Sequence, residues 1–288
     1  MNGEFGDADL VLVGHGSTLN AESAAPTLEH AESIRRQGLF SQVLEGFWKE
    51  HPTFAGALRG AYAARVFVVP LFISDGYFTE QVIPREMGFC KNGQTDFPRV
   101  QIRGEQTFYY AGPVGTHASM TSVILARAAS VVTQHPGPLG SPTAAETSLF
   151  IAGHGTGNNE NSRKAIERQV DLIRARNLYR DVHPIFMEED PRIADCYSLA
   201  AAPNVVIVPF FVSDGLHSYE DIPMMLGESE ADVRARLASG QPTWINPTDR
   251  HGRRVWYSSS IGREPLVVDV ILERVREMAA ISPGFDRS

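Results

Sequence analysis

Two motifs occur twice in this 288-residue chain, at one fixed separation. Val13-Gly14-His15-Gly16-Ser17 returns as Ala152-Gly153-His154-Gly155-Thr156, and Val68-Val69-Pro70-Leu71-Phe72-Ile73-Ser74-Asp75-Gly76 returns as Ile207-Val208-Pro209-Phe210-Phe211-Val212-Ser213-Asp214-Gly215. The offset is the same for both, since 154 − 15 and 209 − 70 each give 139. Two motifs that keep one register over such a distance mark a duplicated unit. The chain is therefore expected to fold as two similar domains, 1–140 and 141–288, divided within the linker-like stretch His135-Pro136-Gly137-Pro138-Leu139-Gly140-Ser141-Pro142.

Each copy alternates short apolar runs with helical stretches. Runs of four or five apolar residues precede both Gly-His-Gly motifs, at 10–13 and 148–152, and suit strands buried on both faces of a parallel sheet. Helices are expected at 22–37 and 161–176; in the second, Ile166, Val170 and Ile173 recur at helical spacing. Second strands follow at 43–47 and 182–186, third strands at 66–70 and 205–209, fourth strands at 106–110 and 254–257, and closing helices at 120–132 and 266–278. This alternation predicts two doubly wound α/β domains, each with about four parallel strands and flanking helices. Ligands of such sheets bind beyond the carboxyl ends of the strands.

Three side chains of the second copy fall at that edge. His154 follows the first strand, Glu188 follows the second, and His217 follows the third. Two imidazoles and a carboxylate suit a borderline divalent metal such as Fe²⁺, Co²⁺, Ni²⁺ or Zn²⁺, and imidazole also serves as a base near neutral pH. The first copy is an internal control. It keeps His15, but Lys49 stands at the position of Glu188 and Phe78 at that of His217. The scaffold is kept in both copies and the chemistry in one.

Composition bounds the remaining choices. A hydrophobic content of 43% with 21% charged residues fits a soluble globular protein, and a net charge of −8 argues against nucleic acid as a partner. No apolar run approaches the length of a membrane span, and no signal peptide is visible, so a cytoplasmic protein is expected. Cys90 and Cys196 are too few for a disulfide framework, which agrees with a reducing compartment.

The strand ending in Gly-His-Gly-Ser/Thr, the Phe186-Met187-Glu188 stretch and the run Ser213-Asp214-Gly215-Leu216-His217 with Asp221-Ile222-Pro223 resemble the class II tetrapyrrole chelatases. The likeness is to their sirohydrochlorin cobaltochelatase and ferrochelatase branch, over residues 9–280. It implies a chelatase-like fold of two flavodoxin-like domains. It also implies ATP-independent insertion of Co²⁺ or Fe²⁺ into sirohydrochlorin or a related tetrapyrrole, in cobalamin or siroheme biosynthesis. The metal is substrate, with Ni²⁺ and Zn²⁺ as further candidates, and no organic cofactor is expected. The family's metal-binding histidines match His154 and His217, and its acidic residue matches Glu188, with Glu189 as the neighbouring candidate. A monomer with internal pseudo-two-fold symmetry is expected, because duplication supplies what a pair of small subunits would build.

Other readings stand beside this one. A non-catalytic tetrapyrrole or metal carrier would use the same strand-end residues, and a metal-dependent hydrolase would use the same scaffold. The segment 153–159 could cradle a phosphate, although it lacks the Walker lysine and the spaced Rossmann glycines. Arg192, Arg253, Arg254 and Arg263 are candidates, by residue type, for binding substrate carboxylates. Asp75 and Asp214, present in both copies, read as loop-shaping. His117 is given no catalytic role. His30, His51, His135, His183 and His251 read as surface or incidental, and Cys196 as helix packing. The stretch 227–253 has no clear counterpart in the first copy.

Overall fold

The structure, a computed structural model, describes residues 3–18, 20–138, 140–155 and 160–281. The first copy runs β1 (Phe5–Gly14), α1 (Ala25–Gln37), β2 (Phe40–Phe47), α2 (Phe54–Arg59) and β3 (Arg65–Pro70). A π-helical turn, Phe78–Val82, leads into the short α3 (Ile83–Glu86), followed by β4 (Val100–Arg103), β5 (Gln106–Tyr110) and α4 (Met120–Gln134). The second copy repeats this plan. β6 (Thr147–Gly153), α5 (Glu160–Arg174), β7 (Asp181–Phe186), α6 (Cys196–Leu199) and β8 (Asn204–Pro209) come first. A second π-helical turn, His217–Asp221, leads into α7 (Ile222–Met225), then α8 (Glu230–Ala238), β9 (Thr248–Arg250), β10 (Arg253–Tyr257) and α9 (Val267–Ala279).

The strand orders are β2-β1-β3-β5-β4 and β7-β6-β8-β10-β9. The four expected strands of each sheet are parallel, and a fifth, antiparallel edge strand (β4 or β9) pairs with β5 or β10. Leu10 to Val13 and Leu149 to Ala152 are fully buried, as central strands covered on both faces require. Each Leu, Val, Ile and Phe side chain among them contributes about 1.5–3 kcal/mol on leaving water. The edge strands have no buried run, which is why the apolar pattern did not reveal them.

One buried polar device is exchanged between the copies. In the first, Asp9 of β1 accepts hydrogen bonds from Gln42 Nε2 (2.9 Å) and from the backbone N–H groups of Tyr62 (2.8 Å) and Ala63 (2.9 Å). In the second, the matching positions hold Ser148 and Asp181. The Ser148 hydroxyl donates to Asp181 and accepts from the Ala202 N–H (3.0 Å), and Asp181 accepts from the Ala201 N–H (3.2 Å). A buried carboxylate is kept only where donors neutralise its desolvation cost. Here the carboxylate moved one strand over while the backbone donors stayed in place, since Ala201 and Ala202 stand at the positions of Tyr62 and Ala63.

The compact units do not divide at 140/141. One comprises 1–119 with 265–288, the other 120–264. The closing helix of each copy thus packs in the unit built on the other copy's sheet: α4 contacts β8 and β10, and α9 contacts β3 and β5. Matching arginines pin the exchange. Arg274 of α9 donates to the carbonyl of Pro113 (2.8 Å) and to Thr116 Oγ1 (2.7 Å). Arg127 of α4 reaches Ser259 Oγ (3.2 Å) and Glu264 (3.3 Å). Sequence repetition reveals the copies but carries no signal for which sheet a helix covers. Among the described residues, no helix is long and apolar enough to cross a membrane.

Candidate active site

His154 leaves β6 where its carbonyl accepts the N–H groups of Met187 (3.1 Å) and Glu188 (3.0 Å), so the exits of β6 and β7 are tied together. Gly155 then turns at φ +66, in the left-handed region, where an added Cβ would meet Phe186 Cβ at 3.0 Å. This turn places the ring of His154 with Nε2 3.8 Å from Glu188 Oε1. His217 opens the π-helical turn after β8, and its ring meets that of His154 edge to face, with centroids 4.9 Å apart and planes at 79°. π-Helical turns recur at functional sites, where they re-aim side chains.

Hydrogen bonding assigns the tautomers. His154 Nδ1 lies 3.1 Å from the carbonyl of Gly155, an acceptor only, so Nδ1 carries the proton. His217 Nδ1 donates to Asp221 Oδ2 at 2.6 Å. In the neutral ring this leaves Nε2 as the lone-pair nitrogen of both, the form that binds a metal or takes a proton. The loop beneath is built in. Buried Asp214 accepts from the Ser260 N–H (2.9 Å), and the Tyr257 hydroxyl donates to the carbonyl of Ser218 (2.9 Å). Burial, with Asp214 and Tyr219 nearby, pushes the Tyr257 phenol well above its ordinary pKa, so it stays a donor. Sequence reasoning missed Asp221, although it lies within the quoted run; its i+4 spacing from His217 was the available signal.

The first copy preserves the geometry without the counterparts of His217, Glu188 and Asp221. His15 accepts the N–H groups of Trp48 and Lys49 at its carbonyl, both at 3.1 Å. Its ring meets Phe78 edge to face with centroids 5.0 Å apart and planes at 73°. The position of Asp221 is Val82. Phe78 packs among Phe72 and Trp48, and Lys49 lies over the Trp48 ring at 5.5 Å.

The other named residues separate clearly. Glu189 is bound to Arg163 at 2.9 Å, whereas Glu188 is the one that reaches His154. Arg192 is held by Asp190 and the carbonyl of Met187. Arg253 donates to the carbonyls of Ala200 and Ala202, and Arg254 pairs with Asp249. Arg253 and Arg254 begin β10, at the opposite end of the sheet from the histidines, so they are structural and not carboxylate receptors. Arg263 begins no such strand; it closes the 3₁₀ turn after β10. His117 pairs with Glu277 at 3.1 Å. His30, read as surface or incidental, is only 3% exposed, because it lies on the inner face of α1. Cys196 is buried, and its thiol is pushed up to about 12. Residues 156–159 of the phosphate-cradle reading lie outside the described residues. Among the described residues, no three His, Cys, Asp or Glu side chains converge tightly enough to hold a metal ion.

Fold and site together define a duplicated two-domain α/β protein of the chelatase class. The CbiX family model matches residues 9–131 and again 148–278, and the chain belongs to that family. It is 43% identical over 281 residues to a probable sirohydrochlorin cobaltochelatase of Halobacterium salinarum, covering 94% of this chain and 91% of that one. A sirohydrochlorin cobaltochelatase of Methanopyrus kandleri is 27% identical over 137 residues, which cover 45% of this chain and 94% of that shorter protein. Among solved structures, a multi-domain Deinococcus radiodurans protein described as similar to chelatases aligns with a TM-score of 0.75 and 29% identity. The alignment covers 96% of this chain, which spans 56% of that protein's length. SirB of Bacillus subtilis, solved with Fe³⁺, shares the fold at a TM-score of 0.64 and 18% identity.

Proposed function

We propose that this chain inserts Co²⁺ or Fe²⁺ into sirohydrochlorin or a closely related tetrapyrrole, without ATP, acting as a cytoplasmic monomer. The observation that carries the reading is the pair of facing imidazoles of His154 and His217 with Glu188 beside them, of which the first copy keeps only His15. The named relatives supply the substrate class.

Insertion exchanges one M²⁺ for the two pyrrole N–H protons of the macrocycle. The imidazoles displace water from the incoming ion and hold it weakly enough to release it. As the ring nitrogens take the metal, Nε2 of each freed imidazole can accept a departing proton, and Glu188 offsets the resulting positive charge. Asp221 keeps the proton of His217 on Nδ1 throughout. Protonated imidazoles can do neither task, so the rate falls as the medium is acidified.

The test is an anaerobic spectrophotometric insertion assay with sirohydrochlorin and Co²⁺, Fe²⁺, Ni²⁺ or Zn²⁺, on the wild type beside His154→Ala, His217→Ala and His15→Ala. Acceleration lost in the first two variants and kept in the third is the expected result. No acceleration by the wild type with any metal overturns the reading, and macrocycle binding without turnover would make the chain a carrier.

A further inference from the structure

We propose that Arg163 and Arg192 are positioning residues. They hold the backbone on both sides of Glu188 and engage its two acidic neighbours, so that Glu188 is the carboxylate this strand exit offers to an ion beside His154. That the ion is the reaction's metal rests on the function proposed above; the hold on Glu188 does not.

Glu188 opens a run of three carboxylates, Glu188-Glu189-Asp190, where β7 leaves the sheet. Its side chain is 58% exposed, so its aim depends on the backbone that carries it. The two arginines fix that backbone. Arg192 donates from Nη1 to the carbonyl of Met187 (3.0 Å), the residue before Glu188, and from Nε to Asp190 Oδ1 (3.2 Å). Arg163, near the start of α5, donates from Nη1 to Glu189 Oε2 (2.9 Å) and to the carbonyl of Asp190 (3.0 Å). Its guanidinium lies 4.9 Å from the Phe186 ring. The N–H groups of Met187 and Glu188 are already on the His154 carbonyl, so the chain is anchored before, at and after Glu188. The same contacts sort the charges. Arg163 takes Glu189 and Arg192 takes Asp190, which leaves Glu188 3.8 Å from the His154 ring. Arginine suits this role because one rigid guanidinium bonds a carboxylate and a carbonyl at once.

The first copy shows that the loop reaches its fold without these arginines. Phe47 N–H donates to the Pro52 carbonyl as Phe186 N–H does to the Pro191 carbonyl, both at 2.8 Å. Yet Ala24 stands at the position of Arg163 and Thr53 at that of Arg192. The correspondence holds through the helix, since Gly14 faces Thr27 as Gly153 faces Ile166, each pair member again 139 apart from its counterpart. Thr53 turns instead to the Gly56 N–H (3.1 Å), and Glu50, the counterpart of Glu189, accepts from the Ser17 N–H (3.1 Å). The residue at the Glu188 position is there Lys49. The arginine braces are present where the carboxylate is, and replaced where it is replaced.

The test measures Co²⁺ binding to the full chain by equilibrium dialysis, with no tetrapyrrole present. It compares the wild type, Glu188→Gln, Arg163→Lys/Arg192→Lys and all three substitutions together. Lysine keeps each charge and loses the planar fork. The lysine pair should weaken Co²⁺ binding by about tenfold or more when Glu188 is present. It should cost little once Glu188 is Gln, because residues that act through one carboxylate then have nothing left to position. A purely structural role would cost the same in both backgrounds, and that result overturns the proposal. Unchanged or tighter binding in the lysine pair overturns it too, as does a Glu188→Gln variant that binds Co²⁺ like the wild type. Arg192→Lys alone, at a side chain 52% exposed, repeats the comparison if the pair does not fold. Coupled losses in a chain that inserts no metal would leave the proposal standing and end the chelatase reading; additive losses in a chain that does insert metal would do the reverse.

Discussion

At the carboxyl ends of their strands the two halves share a backbone and differ in a few side chains. Each has a histidine after the first strand whose carbonyl receives two N–H groups from the exit of the second. Each has a ring on a π-helical turn that meets this histidine edge to face at nearly the same distance, 5.0 Å in one half and 4.9 Å in the other. What differs is whether that ring is Phe78 or His217, whether the second strand exits into Lys49 or Glu188, and whether the turn ends in Val82 or Asp221. The second imidazole and the carboxylates of Glu188 and Asp221 appear together in the second half, and all three are replaced together in the first, which keeps only His15. Shape alone therefore does not make the site. The first half packs an apolar ring, Phe78, at this position, so packing alone does not call for an imidazole at His217.

The sharpest way to break this comparison is to write the first half into the second. His217→Phe/Glu188→Lys should fold, because Phe78 and Lys49 show that the scaffold accepts both, yet insertion should fall by about 10²–10⁴-fold. Retention of most activity in that variant, measured by the same metal-insertion assay, would show that the chemistry lies elsewhere. A smaller effect is expected from Asp221→Asn. The ring stays packed, but its tautomer is no longer enforced, and loss of such a partner costs about 10–100-fold in metal affinity or activity. The rate–pH profile should change as well, because a merely structural residue would scale the whole profile uniformly. Smaller still is the reverse graft. Phe78→His/Lys49→Glu/Val82→Asp should create a new Co²⁺ site in the first half, read by its absorption spectrum in a His154→Ala/His217→Ala background. No new Co²⁺ spectrum would mean that the scaffold differs in ways the shared backbone does not reveal.

Much of this was legible in the chain because duplication supplies its own control. The buried strands announce themselves by unbroken apolar runs such as Leu10 to Val13, and the strand-end positions of His154, Glu188 and His217 follow from them. Which of Glu188 and Glu189 lies beside His154 needed coordinates: adjacent residues at a strand exit point in different directions, and Glu189 pairs with Arg163. Arg253 and Arg254 misled because residue type says nothing about which end of a strand faces the ligand. The edge strands β4 and β9 are short and half-exposed, so they lack the periodic signal that marks a buried strand. Asp221 stayed hidden because its role depends on the local π-helical winding, and the exchanged helices α4 and α9 because an amphipathic helix looks the same on either sheet.

That exchange leads to the smallest expected effect. The residue after the turn that follows β5 is His117, and at the matching position after β10 stands Glu264. Each meets the helix carried over from the other copy: Glu264 faces Arg127 at 3.3 Å, a complementary pair, whereas His117 faces Arg274 as well as Glu277. Burial, followed by the charge of Arg274, holds the His117 imidazole below its ordinary value of 6.5, with Glu277 only partly opposing. The folded state thus binds this proton less readily than the unfolded chain does. The contribution of His117 to stability is complete above pH 6.5 and declines as the pH falls below that value toward the folded-state pKa, where the loss levels off. Thermal unfolding followed between pH 5 and pH 8 should show a fall in midpoint on the acid side that is reduced in His117→Gln, which cannot take up the proton. An equal fall in that variant would place the acid sensitivity elsewhere. Glu264→Gln should leave the acid-side slope of the wild type largely in place, since the asymmetry between the halves at this position lies in the histidine.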